Sequence, residues 1–199
     1  MWPFEQRKKK SLEKLERPGL LSVPETTEEK EIEKIAKKLK VVLDNTKDEI
    51  IFLCIGTDRS TGDSFGPMVG TMLKVKGIHF PVYGTLEEPV HALNSKKILK
   101  EIKCLHKEPF IIAIDACLGE ESQIGLIFLK KGAIFPGKAL NKGLPSVGNY
   151  HLKAFVNYLD SFKPEESLNA TRLNTVIKLA DIVTKIISCA IEDYQITRN

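Results

Sequence analysis

Two aspartates stand where apolar runs break into loops, and together they carry the strongest chemical signal in the chain. Residues 50–55 form an unbroken apolar run, IIFLCI, which gives way to GTDRSTGD and ends on Asp63. Residues 110–114 form a second run, FIIAI, which delivers Asp115. Short apolar runs bounded by turn residues read as buried strands. In open α/β sheets, ligands collect in the crevice beyond the carboxyl ends of the strands, so acids from two strand ends can converge there. Two carboxylates held close share a proton, one acting as base and its partner as acid. The plainer alternative gives each a local role, with Asp63 capping the following helix and Asp115 closing a turn.

The loop Gly56-Thr57-Asp58-Arg59-Ser60-Thr61-Gly62 joins a predicted strand to a predicted helix, a place where backbone N–H groups cradle anions. It lacks the Gly-Lys-Ser/Thr ending of a P-loop and is not a GxGxxG fingerprint, so it does not point to a nucleotide. Asp58 and Arg59 can pair with each other or touch a substrate. Ser60 has no evident histidine base, so serine catalysis is unsupported. The histidines, His79, His91, His106 and His151, show no close ligand spacing. His91, following a strand on the crevice side, is the best of them as a metal ligand. A satisfied or surface role is the commoner fate of such a residue.

The elements that must position these groups follow from periodicity. Residues 1–25 are polar and broken by Pro3, Pro18, Gly19 and Pro24, which reads as a loose arm ahead of one domain over 26–195. Thr26 and Glu29 form a capping box before a helix over 28–43 with one apolar stripe. Strands and helices then alternate: a helix near 64–75, a short strand over 80–84, and a helix opened by Asn94 or Ser95. After the 110–115 strand come a strand over 124–129, an irregular loop over 132–148, and a helix from Asn149. That last helix is read from Leu152, Phe155, Val156 and Leu159. A long final helix follows Pro164. Such alternation predicts an α/β, three-layer αβα sandwich on a mostly parallel or mixed sheet.

Composition narrows the function classes. The 199 residues hold 30 Lys and Arg against 26 Asp and Glu, a small surplus spread along the chain rather than gathered into a nucleic-acid footprint. Cys54, Cys104, Cys117 and Cys189 show no CxxC spacing and read as free thiols in a reducing compartment. No apolar run reaches membrane-spanning length and no secretory leader is visible, so a soluble intracellular protein is expected.

Several segments carry a family resemblance. Gly62-Asp63-Ser64-Phe65-Gly66-Pro67 is similar to the D-A-L-G-P segment of spore germination proteases. Ile114-Asp115-Ala116 resembles their second aspartate segment, and Val147-Gly148-Asn149 their G-V-G-N element. The first loop, with Tyr83-Gly84-Thr85-Leu86, resembles the YyaC-type sporulation proteins, short relatives of that protease. The resemblance spans about 50–190 and implies a germination protease-like, phosphorylase/hydrolase-like fold shared with hydrogenase maturation proteases. It implies a catalytic pair of Asp63 and Asp115 working without metal or cofactor on a protein or peptide, with small spore proteins as candidate substrates. Gly56, Thr57, Asp58, Arg59, Gly62, Gly148 and Asn149 would line the substrate site. It also implies a cytoplasmic location in the forespore or mother cell. Hydrogenase maturation proteases instead hold a metal with acids at the positions of Asp63 and Asp115 and a later histidine. His151 does not align cleanly with that histidine, which favours the metal-free version. The chain is shorter than a germination protease, which leaves open a non-catalytic binding or regulatory protein on the same fold. A metal-dependent maturation-type protease is the third alternative.

Overall fold

A computed structural model describes residues 21–24, 29–136 and 146–192. Six strands form one mixed sheet: β1 (Leu21–Pro24), β2 (Ile50–Cys54), β3 (Val82–Tyr83), β4 (Phe110–Gly119), β5 (Leu126–Lys131) and β6 (Tyr150–Tyr158). Their order across the sheet is β1-β5-β6-β4-β2-β3. The run β6-β4-β2-β3 is parallel, and β5 lies antiparallel to both of its neighbours. The helices are α1 (Glu29–Asp44), α2 (Phe65–Val75), α3 (Ser95–Leu105), α4 (Pro164–Asn169) and α5 (Leu173–Glu192).

Side chains alternate across each strand, and the alternation assigns the layers. Ile50, Phe52 and Cys54 of β2 and Ile112 and Ile114 of β4 join the apolar stripes of α1, α2 and α5 in one core. Ile51, Leu53, Ile111 and Ala113 point the other way, into a smaller core closed by Ile102 of α3. A sheet covered on both faces needs strands that are apolar throughout, which is why 50–55 reads as an unbroken run. Each fully buried Ile, Leu or Phe here contributes about 1.5–3 kcal/mol. The αβα sandwich expected from sequence is the fold observed.

Three local expectations change. The segment expected to be a helix from Asn149 is strand β6, paired on both sides by β4 and β5. Buried from both faces, it carries apolar residues on both, and Leu152, Phe155 and Val156 merely coincide with helical spacing. Part of the expected arm, Leu21–Pro24, is edge strand β1 against β5; residues 1–20 and the Thr26 cap lie outside the described residues. Strand β4 does not end at Asp115 but continues to Gly119, because β6 pairs with it beyond the end of β2. No helix among the described residues is long and apolar enough to cross a membrane.

Candidate functional site

The carboxyl end of β2 organises the site. Ile55 N–H donates to the Ile114 carbonyl at 2.7 Å, so the end of β2 lies beside the residue that precedes Asp115. Gly56 then turns the chain. Its φ of +145° lies in a region that L side chains rarely adopt, and a Cβ there would collide with the Asp63 carbonyl. Gly56 N–H is held by the Val90 carbonyl at 2.8 Å, and Thr57 N–H by the Asp63 carbonyl at 3.1 Å. The loop is therefore stitched closed, with Asp63 returned to the strand end it left. Asp63 sits in a 3-10 turn, Gly62–Ser64, that runs into α2 and packs against β4. The N-cap residue of α2 is Ser64, whose hydroxyl donates to the Thr61 carbonyl at 2.7 Å, so capping is not assigned to Asp63.

Asp115 reaches the same region from β4. It is 5% exposed and lies on the α3 side of the sheet, by alternation from Ile111 and Ala113. It does not close a turn. Its register partner on β6 is Lys153, whose Nζ stands 3.0 Å from Asp115 Oδ2. Burial holds the Asp115 carboxyl above its usual range, opposed by the Lys153 ammonium and the Ala116 N–H. Burial also presses the Lys153 ammonium downward, but the Asp115 carboxylate and Cys117 together more than offset this and leave it raised. Beside them, the Cys117 thiol donates a hydrogen bond to the Ala154 carbonyl at 3.3 Å, and burial pushes that thiol up to about 12. It is a packed thiol, not a nucleophile.

The other residues expected at the site divide. Gly62 is packed against Leu168 and Thr171, so it shapes the turn rather than facing a ligand. The Thr57 hydroxyl accepts from Arg59 N–H at 3.3 Å, while Asp58 and Arg59 are exposed and form no ion pair with each other. Ser60 Oγ is shielded from solvent with no hydrogen-bond partner among the described residues. Gly148 packs over Ala113, two positions before Asp115 on the same face of β4, and Asn149 lies at the start of that strand. Asn149 Oδ1 accepts from Ile111 N–H at 2.8 Å at the start of β4. Asn149 is four residues before Lys153, about 13 Å at strand rise, so it locks the opposite end of β4 to β6.

Neither candidate histidine joins the aspartates. His151 Nδ1–H donates to the Gly132 carbonyl at 2.8 Å, and burial lowers its pKa. His91 Nδ1 accepts from Leu93 N–H at 3.2 Å, and the ring lines a cavity of about 440 Å³ with Tyr83, Glu88 and Glu101. Among the described residues no three His, Cys, Asp or Glu side chains gather as a metal would need.

Comparison with known proteins shows the family. Residues 24–186 match the family described as Protein of unknown function (DUF1256). The chain belongs to the DUF1256 family. It is 42% identical over 159 residues to the Uncharacterized protein YyaC of Bacillus subtilis (strain 168), covering 77% of each chain. A structural similarity links it to the [NiFe] hydrogenase maturation protease HycI from Thermococcus kodakarensis KOD1. That match has 17% identity and a TM-score of 0.43, and covers 76% of this chain and 99% of the other. The DUF1256 match takes in Asp63, Asp115 and Lys153 alike.

Lys153 is the residue that sequence reasoning missed. On a helix it would be one more solvated lysine. On a strand, the alternation His151, Lys153, Phe155 puts a cation on the face that Asp115 uses, and pairing β6 with β4 would have shown it.

Proposed function

We propose that this protein hydrolyses amide bonds in protein or peptide substrates, with Asp63 and Asp115 handling the protons. The observation that carries this reading is the buried Asp115 carboxylate beside the end of β2, where the stitched Gly56 loop brings back Asp63. One aspartate takes a proton from water as the water oxygen attacks the amide carbon. The carbonyl π electrons move to oxygen, where N–H groups of the loop can stabilise the charge. Collapse breaks the C–N bond, and the proton taken from water leaves with the amine. Water is consumed and no other co-reactant is needed. The resemblance to germination proteases supports spore proteins as substrates and the forespore or mother-cell cytoplasm as the place of action.

A second reading has an observation of its own. Asp115 is already neutralised by Lys153 at 3.0 Å, as suits a fixed charge pair in a binding crevice without turnover. Incubation with small, flexible spore-core proteins separates the two. The first reading predicts cleavage that Asp63→Asn and Asp115→Asn each abolish without unfolding the protein, the two losses failing to add. Binding of such a protein without cleavage would select the second reading.

A further inference from the structure

A charged pair this buried is not explained by stability. Replacing a buried ion pair with apolar side chains of similar volume is commonly neutral or stabilising. Lys153 has apolar surroundings well suited to such a replacement: Phe128 is its register partner on β5, and Phe155 on its own strand packs on Phe128 at 5.4 Å. Its side chain is 17% exposed, and among the described residues Asp115 is its one ion-pair partner. The two side chains project from directly paired positions of parallel strands.

We propose that Lys153 is a positioning residue, which fixes the Asp115 carboxylate from the neighbouring strand and keeps it an anion within the crevice. Its functional readout rests on the peptidase reading; its physical readout does not. Among the described residues, three elements bring groups toward Asp115. Lys153 faces it from β6 and Cys117 lies on its own strand, while the turn carrying Asp63 packs against β4. His151, on the same face of β6, is tied to Gly132 and is not turned to Asp115. Of these, only Lys153 brings a positive charge. Arginine at this position can keep that charge and donate to the same oxygen; glutamine can donate but brings no charge.

The test uses the full chain as wild type, Lys153→Gln and Lys153→Arg, with two measurements. Carboxyl carbon resonances followed against pH should show Asp115 titrating at higher pH in the glutamine variant and close to wild type in the arginine variant. In peptide turnover, the glutamine variant should lose about a hundredfold in kcat, as a displaced catalytic group does. Its KM should hold, and the acid limb of kcat/KM should move to higher pH. Should the glutamine variant not fold, the reciprocal measurement serves: the Lys153 ammonium should titrate at lower pH in Asp115→Asn than in wild type. Absence of turnover in wild type refutes the peptidase reading and leaves the titration arm standing. Turnover with an Asp115 titration that Lys153→Gln does not move overturns the role given to Lys153.

Discussion

Lys153→Met removes one member of the buried pair and leaves the other. Methionine nearly fills the lysine stem, so little packing is lost and the effect isolates the charge. Breaking a buried pair from one side costs about 3–5 kcal/mol. The side chains of Lys153 and Asp115 are 17% and 8% exposed, which places the loss at the lower end, about 3 kcal/mol at neutral pH. The pH dependence is the sharper signature. Asp115 already has a folded pKa above its ordinary 3.8 because of burial, and losing Lys153 raises it further. A group with a raised folded pKa adds stability below its unfolded value and loses it as pH rises through the folded value. The variant should therefore recover toward wild type as pH falls and Asp115 becomes neutral, and lose most at neutral pH. In wild type the raised Lys153 contributes stability below its ordinary 10.5, which is lost as pH climbs through the folded value. Urea unfolding at several pH values measures all of this. A loss under about 1 kcal/mol that is unchanged from neutral to mildly acidic pH would refute the reasoning.

Gly56→Ala should destabilise by about 1–3 kcal/mol, because the φ of +145° and the Asp63 carbonyl both oppose a side chain; a wild-type melting temperature would contradict the loop geometry. Tyr83→Phe should lose about 1 kcal/mol in chemical unfolding. It removes the 2.8 Å hydrogen bond to His106 Nε2, whose other nitrogen contacts Glu49 at 2.9 Å; an unchanged unfolding midpoint would show that the bond carries no load. Alkylation of the folded protein should label the exposed Cys104 and Cys189 first, the half-buried Cys117 slowly, and spare the buried Cys54, the last two having thiols that burial pushes up. Labelling of Cys54 before unfolding would mean that the sheet opens readily.

The parts of the fold legible in the sequence were those whose burial imposes a single pattern. Residues 50–55 and 110–114 are apolar throughout because β2 and β4 are interior parallel strands, and α1, α2 and α5 each bury one stripe against them. β6 was illegible for the same reason in another guise: a strand buried on both faces shows no two-residue alternation, and its spacing imitates a helix. That error propagated to the site. It hid Lys153. Gly148 and Asn149 entered the expected site through the resemblance to the G-V-G-N element, and Asn149 binds Ile111 at the start of β4. Asp115 stands out in the sequence because the end of a neighbouring strand marks it, although its own strand runs on to Gly119. Its pairing with Lys153 joins residues far apart in the chain through sheet order, which local pattern does not encode.

The central proposal is that Asp63 and Asp115 hydrolyse amide bonds, and isotope incorporation tests it most directly. Small spore-core proteins incubated with the full chain in oxygen-18 water should yield fragments whose new carboxyl termini carry the heavy oxygen in wild type. Asp63→Asn and Asp115→Asn should yield none. Intact substrates throughout, or labelled termini that persist in both asparagine variants, would contradict the account.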